Sequence, residues 1–126
     1  MERIERTAIR NLIHNEQYCR KVLPFIKEEY FTDRLEKVLF TEIYKFVNKY
    51  NNLPTKESLS IEINGNKSIN EDEYKQVTDI LSTLNPEPVN LEWLVETTEK
   101  FCKDRSIHNA VLNGIQIIDG KDKNHT

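Results

Sequence analysis

The sequence predicts an all-α fold, a compact bundle of short helices followed by a long C-terminal helix. Three features of the 126 residues point to it. Only 3 glycines and 4 prolines occur, so breaks in regular structure are few and well separated. Apolar residues recur at the three-to-four-residue spacing of a buried helix face along most of the length. Strict alternation of apolar and polar residues, the mark of a half-buried strand, is confined to Ser60-Ile61-Glu62-Ile63-Asn64, a run short enough to be a helix end or a brief extended piece.

The first helix is expected from Arg3 to His14. It places Ile4, Ala8, Ile9, Leu12 and Ile13 on one face and Arg3, Arg6 and Arg10 on the other. A second, short helix opens near Asn15, carries Tyr18, Val22 and Leu23, and is interrupted at Pro24, whose ring removes a donor and restricts Leu23. After Tyr30-Phe31, Asp33 can cap a longer third helix with Glu36 reaching back in a capping-box variant. Leu35, Val38, Leu39, Ile43, Phe46, Val47 and Tyr50 form its apolar stripe.

Asn51-Asn52-Leu53-Pro54 breaks that helix, and Thr55 opens a fourth that runs through Leu59. Gly65 marks the next loop. Asn70, with Glu73 three residues on, opens a fifth helix whose Tyr74, Val77, Ile80, Leu81 and Leu84 share one face, and Pro86 and Pro88 end it.

The last helix is expected from Asn90 to Ile118. Its first half has the stripe Leu91, Leu94, Val95, Thr98, Phe101 and Cys102. The stripe then moves. From Cys102 to Ile107 is five residues, and at about 100° per residue the apolar face is displaced by roughly 140°. The new seam, Ile107, Val111, Gly114 and Ile118, has the 4-3-4 spacing of a helix-pairing face, flanked by Ala110, Leu112, Ile115 and Ile117. A helix that changes its buried face midway packs on two bodies, so the first half belongs to the core and the second seeks another helix. The residues after Ile118, through 120–126, read as a polar tail.

Composition narrows the chemistry. Lysine and arginine number 18 against 21 acidic residues, 18 − 21 = −3, which argues against a surface dedicated to coating nucleic acid. The Arg3, Arg6, Arg10 stripe remains a candidate local contact for nucleic acid or a partner. No apolar run approaches the roughly 20 residues of a membrane span, and the amino terminus lacks the apolar stretch of a signal peptide. Cys19 and Cys102 fall in helical periodic segments with no paired spacing, and read as free thiols of a cytoplasmic protein. His14, His108 and His125 are scattered, and Gly65-Asn66-Lys67-Ser68 lacks the upstream glycine and the Gly-Lys pair of a phosphate-binding loop. No catalytic, metal or cofactor-binding residue is assigned.

A resemblance spans nearly the whole chain, from about Ala8 to Ile118. It rests on Asn11-Leu12-Ile13 leading to Tyr18, then Lys21-Val22-Leu23-Pro24 and Glu29-Tyr30-Phe31. It continues through Val47, Tyr50, Leu53-Pro54-Thr55 and Glu73-Tyr74. Its most specific part is Trp93-Leu94-Val95-Glu96-Thr97-Thr98-Glu99-Lys100-Phe101, followed by Arg105 and Asn109-Ala110. In this order and spacing the chain resembles the N-terminal domain of the DnaB-type replicative DNA helicases of T-even-like bacteriophages.

The resemblance implies a collar domain over residues 1–119, with 90–119 as the first arm of a helical hairpin. The parent would be a hexameric, ATP-dependent helicase acting in DNA replication in the cytoplasm of the infected host. Its ATP and magnesium site would lie in a motor domain outside this chain, which would be catalytically inactive alone. Implied partners are a second copy, through the seam of Ile107, Val111, Gly114 and Ile118, together with the primase and the helicase loader of a primosome. DNA would be met mainly through the motor, and no membrane is involved. The second arm of the hairpin is not found in this sequence. The competing readings are a stand-alone helical module that binds DNA through Arg3, Arg6 and Arg10, and a small adaptor that caps a partner's helix.

Overall fold

The computed structural model describes the backbone of residues 3–124 and the side chains of residues 3–115. Six α-helices follow one another: α1 (Ile4–His14), α2 (Glu16–Val22), α3 (Arg34–Tyr50), α4 (Lys56–Asn64), α5 (Glu71–Thr83) and α6 (Leu91–Asn124). A 3₁₀ turn, Glu28–Tyr30, which the sequence pattern did not suggest, sits between α2 and α3. The described residues contain no strand, so the alternating run at 60–64 is the end of α4.

Helix starts follow local side-chain chemistry. Asn15 accepts from the Tyr18 amide at 3.0 Å, and Asn90 accepts from the Trp93 amide at 2.8 Å. Thr55 with Ser58, and Asn70 with Glu73, form reciprocal capping boxes. Asp33 accepts from the amides of Leu35 and Glu36, which caps α3 as expected. Glu36 does not complete the box. Its side chain is fully buried and receives Arg3 and Arg6 from α1. Two guanidinium donors outweigh one backbone amide for a carboxylate removed from water. Leu23 keeps a right-handed helical conformation despite the following proline, because the Phe25 and Ile26 amides both bond to the Val22 carbonyl and continue the turn. At the end of α3, Asn51 adopts the left-handed conformation at φ 54° and is clasped by Arg20 through its side chain at 2.7 Å and its carbonyl at 2.9 Å.

Two groups of helices share the core. In one, α1 and α2 pack together under the first half of α6; in the other, α3 packs with α4 and α5, and α1 joins the groups by lying against α3. Ile9, Leu12, Tyr18, Leu39, Ile43, Leu59, Ile63, Leu81, Leu84 and Leu94 are fully buried. Phe31, just past the 3₁₀ turn, stacks on Phe40 with ring centroids 5.0 Å apart and meets the edge of Phe101 at 6.4 Å, which ties α3 to α6. His14 Nε2 lies 2.6 Å from the Leu84 carbonyl and fastens the end of α1 to the end of α5.

The last helix extends through Asn124 rather than stopping at Ile118. None of residues 119–124 is a proline, so nothing there forces the backbone out of the helix.

Candidate docking face on the last helix

The first half of α6 is a core helix. Leu94, Thr98 and Cys102 are buried, with Leu91, Val95 and Phe101 partly buried beside them. Thr98 Oγ1 donates to the Leu94 carbonyl at 2.7 Å and meets the Tyr18 hydroxyl at 2.7 Å. Burial pushes the Cys102 thiol up to about 11 and raises that of Cys19; both are free.

The fastening to the domain ends with two polar ties. Arg105 lies over the Phe101 ring at 5.5 Å and within 3.9 Å of the Glu5 carboxylate. Asn109 Nδ2 then donates to the Glu29 carbonyl at 3.1 Å. At about 100° per residue, Thr98, Arg105 and Asn109 fall on one line of the helix, and Ile107 falls roughly 160° to 200° away from it. The seam therefore faces away from the domain. Ile107 is 56% exposed, Val111 57%, Ile115 50% and Leu112 45%. A Cβ placed on Gly114 would meet nothing within 4 Å. The side chain of Ile118, the fourth seam residue, lies outside the described residues, as does that of Ile117.

Trp93, which is absent from the apolar stripe expected along the first half of α6, adds to this face. It is more than half exposed at the base of α6. Fourteen residues separate it from Ile107, 107 − 93 = 14, which is two heptads, so it stands within roughly 40° of the same face. That spacing was the available signal.

The arginine stripe is bound into the domain. Arg3 and Arg6 converge on Oε2 of Glu36 at 2.7 and 3.0 Å, while Arg10 is set apart, 3.7 Å from Glu87. Arg3 also lies 3.6 Å from Glu5. Arg3 keeps the most solvent-facing surface of the three, and Arg10 the least. Among the described residues, no group of three or more His, Cys, Asp or Glu side chains is placed to hold a metal ion, and no helix is long and apolar enough to cross a membrane.

No family model matches the chain. Over 107 residues, however, it is 35% identical to the DnaB-like replicative helicase of Enterobacteria phage T4. The chain is homologous to a DnaB-like replicative helicase. The match covers 85% of this chain and 22% of the T4 helicase, so the chain spans about a fifth of its relative's length. Such coverage is consistent with an N-terminal domain of a DnaB-like protein, the relationship that the order of motifs implied.

Proposed function

We propose that this chain is the N-terminal oligomerisation and partner-docking domain of a phage replicative helicase, a hexameric, ATP-dependent enzyme acting in DNA replication. Its own work is binding, and the ATP and magnesium chemistry belongs to a motor domain elsewhere in the parent. The carrying observation is the outer face of α6, where Ile107, Val111 and Ile115 stand exposed around Gly114 on the side opposite the last tie to the domain. Large apolar side chains aligned on one helix face are stabilised by a partner helix, at about 25 cal/mol for each Å² of apolar surface hidden, less the cost of association. The occupant of this seam in the parent is a helix of the same assembly, supplied by a hairpin arm or a second subunit. Primase and helicase loader are the partners that the homology to a replication helicase suggests.

The test is Val111→Asp in the parent-length protein. The substitution places an unpaired charge in the paired seam. Sedimentation velocity should report smaller assemblies, with helicity by circular dichroism unchanged. Unchanged sedimentation would overturn the reading.

A further inference from the structure

We propose that the outer face of α3 is a docking groove for an extended acidic peptide that carries one apolar anchor residue. The surface lies on a different helix from the α6 seam, and the proposal stands whether or not α6 pairs.

Charge segregation on α3 is the first observation. The helix carries four cations, Arg34, Lys37, Lys45 and Lys49, all exposed, and two carboxylates, Glu36 and Glu42, both buried. Glu36 is turned inward to Arg3 and Arg6, and Glu42 accepts from Asn66 at 3.3 Å. The solvent side of this helix is therefore purely cationic, in a chain whose net charge is −3. Arg34 is engaged by Glu73 at 2.7 Å and Lys45 stands 4.0 Å from Glu42, while Lys37 makes no ion pair among the described residues.

Shape is the second. A cleft of about 300 Å³ opens between α3 and the turn after α2, walled by Leu23, Pro24, Phe40 and the exposed ring of Tyr44. A second cleft, of about 350 Å³, shares Leu23, Pro24 and Tyr44 and continues to Asn51. A third shares Glu28 and Thr41 with the first and is lined by Arg34, Lys37 and Lys45. The three form one groove along α3, apolar near Tyr44 and cationic toward Arg34. The carboxylate nearest the junction, Glu28, is held by the Thr41 hydroxyl at 2.6 Å.

This order specifies the ligand. An apolar side chain fills the cleft beside Tyr44, and carboxylates meet Lys37 and Lys45. Tyr44 and Lys37 are two helical turns apart, about 10 Å, which an extended chain covers in roughly three residues. A peptide is favoured over a nucleic acid because the middle cleft is walled mostly by aliphatic and aromatic carbon, with Lys27, Glu28 and Thr41 completing its lining, and offers one exposed ring rather than a series of stacking platforms.

The experiment is fluorescence anisotropy with the full chain and a labelled peptide in which a phenylalanine is followed, after a short neutral spacer, by consecutive aspartates. The wild-type chain should bind it. Tyr44→Ala, and separately Lys37→Glu with Lys45→Glu, should each weaken binding on the order of tenfold, and Lys75→Glu on α5 should not. Each altered side chain is exposed, and Lys37→Gln alone, which should weaken binding less than the double reversal, supplies a milder variant if that reversal disturbs the helix. Equal binding of a peptide with serine in place of phenylalanine, no binding of the parent peptide, or tighter binding of an oligothymidylate lost through the same lysines would each overturn the proposal.

Discussion

The Tyr18 hydroxyl donates to Oγ1 of Thr98. The two atoms are 2.7 Å apart and buried, and the single proton of Thr98 is already given to the Leu94 carbonyl. The direction of this bond makes its two ends unequal. Thr98→Val strands a buried phenol donor and should cost about 1 to 3 kcal/mol, whereas Tyr18→Phe leaves only an unused lone pair and should cost about 0.5 to 1.5 kcal/mol. Urea titrations of the two variants should give that order, and the reverse order would show that the proton runs the other way.

Alkaline pH should unfold the domain by a mechanism that its buried thiols define. Burial holds the Cys102 thiol up to about 11 against an ordinary value of 9.0, and holds the Tyr18 phenol above its ordinary value of 10.0. Both groups bind their protons more tightly folded than unfolded. Their contribution to stability is complete below pH 9 and is lost as the pH rises from there through the folded values. The Tm should be level in this respect up to about pH 9 and then fall. Cys102→Ala should flatten the fall between pH 9 and 11, and an unaltered slope would count against the assignment.

Gly114→Ala should have opposite effects on the domain and on its assembly. With nothing within 4 Å of the added Cβ, the substitution favours the helix by roughly 0.5 to 1 kcal/mol. Where a partner helix approaches at Gly114, the same methyl holds it off. Helicity of this chain should rise while self-association of the parent-length protein weakens; a rise in both would place Gly114 outside the contact.

Asn51 adopts the left-handed conformation and accepts from Arg20. Glycine takes that conformation without strain, so Asn51→Gly loses only the exposed contact. Asn51→Ala loses the contact and adds strain, and should be less stable than Asn51→Gly by about 1 kcal/mol, roughly 4 °C in Tm for a domain of this size. Thermal melts of the pair would decide it.

Local rules made most of the helices legible. Asn15, Asp33, Thr55, Asn70 and Asn90 all act as caps, and each reads from its own residue and the next three. The change of buried face along α6 was legible too, since it needs only spacing, and the structure exposes Ile107 and Val111 accordingly. What could not be read was chemistry between distant positions. Glu36 looks like a capping residue within its own helix, and only the packing of α1 on α3 reveals Arg3 and Arg6 as its partners, 33 and 30 residues away. The same holds for the groove on α3. Tyr44 is an ordinary surface residue in sequence, and the cleft between it and Pro24 exists only once the turn after α2 comes up against α3.

The tie from Asn109 to Glu29 also sets a phase. Beyond it α6 behaves as a shaft, and the compass direction in which Val111 and Gly114 present themselves depends only on how many residues separate them from that tie. Two residues inserted after Ala110 would turn them by about 200°, back over the domain's own side. Seven would restore the heading to within roughly 20° while carrying it about 10 Å outward. Length changes in this stretch are therefore tolerable in whole pairs of turns and disruptive otherwise, so the helix encodes an angle as well as a surface.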